Sequence, residues 1–113
     1  MKWYTLNDKK EVVTCSLEEA NECDRRVKQE DVGDLWVSTV FLMMDHAYPF
    51  PHNEDDADYK PLIFETMIRN TATDEWEDYQ ERYYTYNEAL TGHNAVVEKL
   101  KQGLPLDEEE IQQ

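Results

Sequence analysis

The fold of this chain is decided by one stretch, Leu35-Trp36-Val37-Ser38-Thr39-Val40-Phe41-Leu42-Met43-Met44-Asp45-His46. The stretch is rich in β-branched and aromatic residues, and it predicts a β-strand. Both of its alternating faces are largely apolar, one through Trp36, Val40 and Leu42, the other through Val37 and Phe41. A strand that faces water on one side alternates instead with polar residues. We therefore expect a central strand that is buried on both faces.

The segments before this stretch predict a hairpin, a helix and an edge strand. Residues 2–6 and 11–15 are two short strand-type runs around a polar turn. Ser16 and Glu19 have the spacing of a capping box, so a helix should start there and end near Arg26. Residues 27–32 are charged and weakly patterned, which is typical of an edge strand.

The segments after it predict two further strands and a second helix. Residues 61–70 form a second interior strand, residues 70–77 a polar turn region, and residues 79–84 an edge strand. Thr85 and Glu88 form another capping box, and Gly103 ends the helix. The expected class is α+β, with a mostly antiparallel sheet in the order ββαββββα and two helices. Residues 1–104 make a single domain, and the acidic tail 105–113 is predicted to be disordered.

Charge and composition restrict the partners. The chain has 26 Asp and Glu residues against 11 Lys and Arg, a net charge of −15. This charge repels nucleic-acid phosphates and lipid headgroups, so the expected partner is a basic protein surface. No apolar segment is long enough for a membrane helix, and no signal-peptide pattern begins the chain. We expect a cytoplasmic protein in which Cys15 and Cys23 remain reduced thiols, with a disulfide between them as the lesser alternative.

Four polar residues on predicted regular elements are candidates for chemistry: Asp45, His46, Glu65 and His93. If they converged, they could hold a transition metal or exchange protons. The alternative is structural: Glu65 pairs with Arg82 or a backbone donor, His93 is a hydrogen-bonded core histidine, and Asp45-His46 ends a strand. The sequence favours the structural account, and we assign no catalytic residue, metal or cofactor.

Residues 47–60 form an acidic, aromatic excursion between two predicted strands. Its carboxylates approximate a calcium-loop spacing, but Tyr59 stands where the loop needs Gly, and a strand follows, so calcium is rejected. The composition suits docking on a basic protein, although the rings could instead cover one sheet face. The candidate partner-binding residues are Tyr48, Phe50, Glu54, Asp55, Asp56, Asp58, Tyr59 and, from a later segment, Trp76.

Several short motifs together resemble those of a family of small proteins encoded by bacteriophages and prophages. They are Trp36-Val37-Ser38-Thr39-Val40-Phe41-Leu42 with Asp45-His46, Pro61-Leu62-Ile63-Phe64-Glu65-Thr66-Met67, Glu81-Arg82-Tyr83 and Gly92-His93. The resemblance spans most of residues 1–100 and implies a phage gene expressed in a bacterial cytoplasm, without implying an activity. The loop from Tyr48 to Tyr59 departs from the short, glycine-rich segment typical of that family.

Three functions from different classes follow. The leading hypothesis is a non-catalytic interaction protein, an inhibitor that binds a basic host protein involved in nucleic-acid handling or defence. The second is a small enzyme or a ligand- or metal-binding domain that uses Asp45, His46, Glu65 and His93. The third is a homodimeric phage accessory or structural protein whose apolar sheet face is the subunit interface.

Overall fold

The computed structural model describes residues 3–44, 60–104 and 106. In this part of the chain the order is ββαββββα, and the expected α+β class is confirmed. The elements are β1 (Trp3–Leu6), β2 (Val12–Cys15), α1 (Leu17–Glu22), β3 (Arg26–Val32), β4 (Leu35–Phe41), β5 (Phe64–Asn70), β6 (Glu75–Tyr83) and α2 (Tyr86–Gln102). Apart from Leu106, the predicted acidic tail lies outside the described residues, as does nearly all of the excursion 47–60. None of the described helices has both the length and the apolar character needed to cross a membrane.

The strands form two antiparallel sheets. Strands β1 and β2 pair as the predicted hairpin, and β3, β4, β5 and β6 form a four-stranded meander in chain order. Strand β4 is therefore interior, and β3 and β6 are the edges, as predicted. In the β4–β5 register, Val37 lies opposite Ile68 and Thr39 opposite Thr66.

Helix α2 packs across one face of the four-stranded sheet and buries its core. Val96 and Val97 of the helix pack against Val37 and Ile68 of the sheet. Nearer the start of α2, a second cluster contains Tyr4, Phe41, Ile63, Phe64 and Ala89. The amide of Tyr4 donates to the carbonyl of Met43 at 3.0 Å, which ties the small hairpin to the chain just after β4.

Only the helix-bearing face of β4 is fully covered by described residues. Val37, Thr39 and Phe41 on that face are buried, whereas Trp36 and Val40 on the opposite face remain partly exposed. Among the described elements, no helix packs on this opposite face. Within the described part of the chain, the expectation that both faces are buried is therefore met in full only on the helix-bearing face. We call the opposite side the helix-free face.

Two elements end earlier than predicted. Helix α1 stops at Glu22 rather than near Arg26, because Cys23 is extended (φ −71°, ψ 135°) and its amide turns back to the carbonyl of Ala20. The central strand was predicted to reach His46, but β4 ends at Phe41. Met43 adopts a positive φ of 70°, which a continuing strand does not allow.

Strand β6 begins earlier than predicted. It starts at Glu75, inside the segment expected to be a turn, because Asn70 and Asp74 close a tighter turn through a 2.7 Å backbone hydrogen bond. At the start of α2, Thr85 caps the amide of Glu88 as expected. The Glu88 carboxylate, however, accepts from the amide of Tyr84, so the cap is not the predicted reciprocal box.

Candidate functional site

The structure describes three of the sequence-predicted site residues, Glu65, Trp76 and His93. The remaining candidates lie outside the described residues: Asp45, His46, Tyr48, Phe50, Glu54, Asp55, Asp56, Asp58 and Tyr59. The site is therefore built from the described side chains of the four-stranded sheet and α2.

Glu65 and His93 lie on opposite sides of the sheet. Thr66 lies on the helix side with Thr39, so the alternation of β5 places Glu65 on the helix-free face. The Glu65 carboxylate, which is 8% exposed, accepts hydrogen bonds from Gln80 Nε2 at 2.5 Å and from Arg82 Nε at 3.0 Å. The structural alternative for Glu65, an ion pair with Arg82, is confirmed. The sheet separates this carboxylate from His93.

His93 is the centre of a hydrogen-bonded chain beneath α2. Its Nδ1 lies 2.8 Å from Thr39 Oγ1, and its Nε2 lies 2.9 Å from Glu30 Oε1. Thr39 Oγ1 in turn lies 2.5 Å from Thr66 Oγ1, and the Tyr83 hydroxyl also bonds to Thr66. The side chains of His93, Thr39 and Thr66 are fully buried. We call these five residues the buried polar chain, and the expectation of a satisfied core histidine is confirmed.

The ionised carboxylate of Glu30 fixes the direction of every hydrogen bond in this chain. A carboxylate only accepts, so His93 carries its proton on Nε2 and presents the bare Nδ1 to Thr39. Thr39 therefore donates to the imidazole and accepts from Thr66, which accepts from Tyr83. Each hydroxyl of the chain thus donates one hydrogen bond, and the Thr39 and Thr66 oxygens each accept one as well. If His93 carried its proton on Nδ1 instead, the donor and acceptor roles of every hydroxyl in the chain would have to be exchanged.

The pKa shifts agree with a neutral imidazole beside an ionised carboxylate. Burial lowers the pKa of His93, and it outweighs the opposing hydrogen bond and charge of Glu30. Burial acts to raise the pKa of Glu30, but the hydrogen bond from His93 and the charge of Lys28 bring it below its usual value. Lys28 Nζ lies 3.5 Å from Glu30 Oε1 and donates to Asn94 Oδ1 at 2.8 Å.

The hydroxyl, imidazole and carboxylate are connected in the same order as in a nucleophilic triad, but here the hydroxyl is buried and inaccessible to a substrate. A triad needs a hydroxyl that a substrate can reach. Thr39 has no exposed surface, and its oxygen is occupied by Thr66 and His93. Within residues 3–44, 60–104 and 106, no group of three His, Cys, Asp or Glu side chains is arranged to hold a metal ion. The described polar interior thus supports the fold.

The helix-free face carries a surface feature at one end of the sheet. Asp31, Trp36, Arg69 and Trp76 lie side by side across β3, β4, β5 and β6. The two indole rings are 6.4 Å apart between centroids and tilted by 48°, and Trp76 is 52% exposed. We call these four residues the tryptophan row. Trp76 was a predicted contact, whereas Trp36 was missed because the sequence placed it in a strand buried on both faces.

Several carboxylates lie at the same end of the sheet as the tryptophan row. The β3–β4 and β5–β6 turns meet beside it, because the Thr71 amide and hydroxyl both donate to the Asp34 carbonyl, at 2.7 and 2.9 Å. Arg69 is the basic member of the row, and it pairs with Asp74. Besides Asp74, the exposed acidic residues at this end are Asp31, Asp34, Glu75, Glu77 and Asp78. Glu75 and Glu77 alternate with Trp76 along β6 and so face the helix side of this edge strand. The aromatic pair, exposed at Trp76, therefore lies at an end of the sheet that is rich in negative charge.

Comparison with known proteins gave no match: no family model, no curated protein and no solved structure is similar to this chain at a significant level. Function is therefore inferred from the residues and their geometry.

Proposed function

We propose that this chain is a non-catalytic binding protein that docks on a basic protein surface through the tryptophan row and the carboxylates at the same end of the sheet. The observation that carries this proposal is the Trp36–Trp76 pair, partly exposed at Trp36 and exposed at Trp76, at an end of the sheet rich in exposed carboxylates. Trp residues supply a large share of binding energy at protein interfaces, and surrounding charges select the partner and accelerate association. A surface with this composition suits a partner rich in Lys and Arg.

The charge at this end disfavours other partners. Nucleic-acid phosphates would face the exposed carboxylates, and Arg69 is already neutralised by Asp74. A second copy of the chain would bring the same acidic end against itself, and like charges facing each other cost binding energy. A basic heterologous protein satisfies both the aromatic and the electrostatic character of the surface.

The interior supports a binding role more than an enzymatic one. The rival site needs Glu65 and His93 together, but the sheet separates them and each is held by other partners. In accordance with the family resemblance, we extend the proposal to a bacteriophage or prophage gene product whose target is a host protein of nucleic-acid handling or defence. Such a target has a basic phosphate-binding surface, and docking there would block it by occlusion.

The test starts with affinity capture from bacterial lysate at low salt, followed by calorimetry with the captured protein in purified form. Trp76→Ala should weaken binding by about tenfold or more, as for a central aromatic contact. A triple variant, Asp31→Asn with Asp34→Asn and Asp78→Asn, should also weaken it. The dissociation constant of the wild-type chain should rise with salt, because salt screens the attraction.

A matched control removes three carboxylates elsewhere: Asp8→Asn, Glu18→Gln and Glu22→Gln, all exposed in and near the small hairpin. This variant changes net charge by the same amount and should keep most of the affinity. Equal losses in the two triple variants would refute docking at the tryptophan row, as would failure to capture any protein at low salt. Wild-type dimers that Trp76→Ala converts to monomers would assign the row to self-association instead.

A further inference from the structure

A cavity of about 390 Å³ lies at the other end of the sheet, where the β1–β2 turn approaches the start of α2. Its walls include Lys9, Lys10 and Lys60, together with Tyr84 and Tyr86. Three of the 11 basic residues of a chain with net charge −15 thus converge on one concavity. This feature is separate from the tryptophan row and from the function proposed above.

Local structure holds these lysines in place. Asn7 Oδ1 accepts from the amides of Lys9 and Glu11, both at 2.9 Å, which fixes the turn between β1 and β2. The Lys10 ammonium lies 5.7 Å from the centroid of the Tyr86 ring, at the first residue of α2. Lys60 directly precedes the buried Pro61. The segment that contains both residues is attached to the end of β6, because the Ile63 amide donates a 3.0 Å hydrogen bond to the Tyr83 carbonyl.

Within residues 3–44, 60–104 and 106, the cavity lysines lack the ion pairs that other cations of the sheet form, although the charge of Lys10 acts at longer range on Asp24. Lys28, Arg69 and Arg82 each pair with an acidic side chain. Lys9, Lys10 and Lys60 form no ion pair within the described part of the chain. Glu11, the acidic residue of the wall, is held by a 2.9 Å hydrogen bond from Asn7 Nδ2, and one carboxylate does not neutralise three ammonium groups. Like charges held close together repel, and a bound anion would relieve that repulsion.

We propose that this cavity binds a small phosphate-bearing ligand through Lys9, Lys10 and Lys60. Phosphate groups combine multiple negative charge with several acceptor oxygens, and lysine binds them as a point charge. The free amides in the first turn of α2 add partial positive charge to the wall. The volume falls within the range of about 300–1,000 Å³ typical of small-molecule pockets, so it accommodates more than one phosphate group. Tyr84, which is 45% exposed, offers a ring surface beside the lysines.

The test is a titration of the ¹⁵N-labelled full chain at low salt with inorganic pyrophosphate in one arm and ADP in the other. We expect saturable shifts at the amides of Lys10, Tyr86 and Asn87. Lys9→Gln with Lys10→Gln should weaken pyrophosphate binding by about tenfold or more. Tighter binding of ADP would assign the site to an organic phosphate with a ring on Tyr84, and equal affinities would assign it to the phosphate groups alone.

The matched control is Lys99→Gln with Lys101→Gln, which removes the same charge from the far end of α2. It should leave pyrophosphate binding nearly unchanged. The proposal fails if the wild-type chain shows no saturable shift at about 10 mM pyrophosphate, which corresponds to binding weaker than about 3 kcal/mol. It also fails if the two double variants lose affinity equally. Amide spectra of each variant show directly that the fold is intact.

Discussion

Thr39→Val tests the buried polar chain with one substitution, because valine keeps the shape of threonine and removes only the hydroxyl. In the folded protein this hydroxyl donates to His93 Nδ1 at 2.8 Å and accepts from Thr66 Oγ1 at 2.5 Å. Both partners are fully buried, so water cannot replace the lost contacts. The variant therefore leaves a bare imidazole nitrogen and a displaced hydroxyl in the core.

The expected cost follows from these two atoms. A buried polar group without a partner costs about 1–3 kcal/mol. His93 Nδ1 loses its only neighbour in the chain, whereas Thr66 keeps its bond to Tyr83, so it loses less. We expect Thr39→Val to lower the free energy of unfolding by roughly 2–4 kcal/mol. Thr39→Ser keeps the hydroxyl and should cost only the buried methyl, about 1 kcal/mol.

Urea unfolding followed by tryptophan fluorescence measures these differences. The matched control is Thr14→Val on the exposed side of β2, which should stay within about 0.5 kcal/mol of the wild-type chain. Imidazole ¹⁵N shifts report separately on the tautomer, and they should show the proton on Nε2 of His93. A Thr39→Val variant as stable as the Thr14→Val control would refute the cost assigned to these buried contacts, and a proton found on Nδ1 would refute the direction assigned to the chain.

Three further outcomes are expected. Burial lowers the pKa of His93 in the folded protein, so the unfolded chain binds a proton at this residue first as pH falls below about 6.5. The free energy of unfolding of the wild-type chain should therefore decrease by up to about 1.4 kcal/mol per pH unit, and the decrease should be less steep in His93→Gln. Gly92→Ala should lower the free energy of unfolding by roughly 1–3 kcal/mol, because the new methyl group would overlap the Tyr83 hydroxyl. Arg82→Met should cost a similar amount, roughly 1–3 kcal/mol, because the nearly buried Glu65 loses its cation, and adding Glu65→Gln should recover most of it.

These outcomes have their own controls. Thr91→Ala, at an exposed position beside Gly92, should be nearly neutral in urea unfolding, so an equal effect would exclude the clash with Tyr83. The pH comparison is made between the wild-type chain and His93→Gln, since acidic residues elsewhere titrate alike in both. Parallel pH profiles would show that His93 does not have a lowered pKa in the folded protein.

The element order could be predicted because its signals are local. Ser16 with Glu19, Thr85 and Gly103 mark helix ends through contacts within four residues, and the structure uses all of them. The alternation of residues 62–68 likewise separated Phe64 from Glu65 correctly. Strand ends were less accurate, since they depend on single positive-φ residues such as Met43 that the hydrophobic pattern does not reveal.

The site could not be predicted, because its contacts join distant parts of the chain. Glu30 and His93 are 63 residues apart, and Thr39 and His93 are 54 apart. Glu65 can contact His93 only if α2 packs on the side of the sheet that carries Glu65. Both sides of β4 are apolar enough to be covered by a helix, so the sequence does not decide between them. The tryptophan row has the same origin, since Trp36 and Trp76 become neighbours only through the strand register.

The two proposed surfaces can be tested independently because the sheet holds them apart. Strand β6 runs from beside the tryptophan row to beside the lysine cavity, and its 9 residues span roughly 30 Å. Charges separated by more than about 8 Å of water are largely screened at physiological salt. Trp76→Ala should therefore leave pyrophosphate affinity unchanged, and Lys9→Gln with Lys10→Gln should leave binding of the basic partner unchanged. A variant at one end that altered both activities would require the rigid sheet, or the buried polar chain along it, to transmit the change.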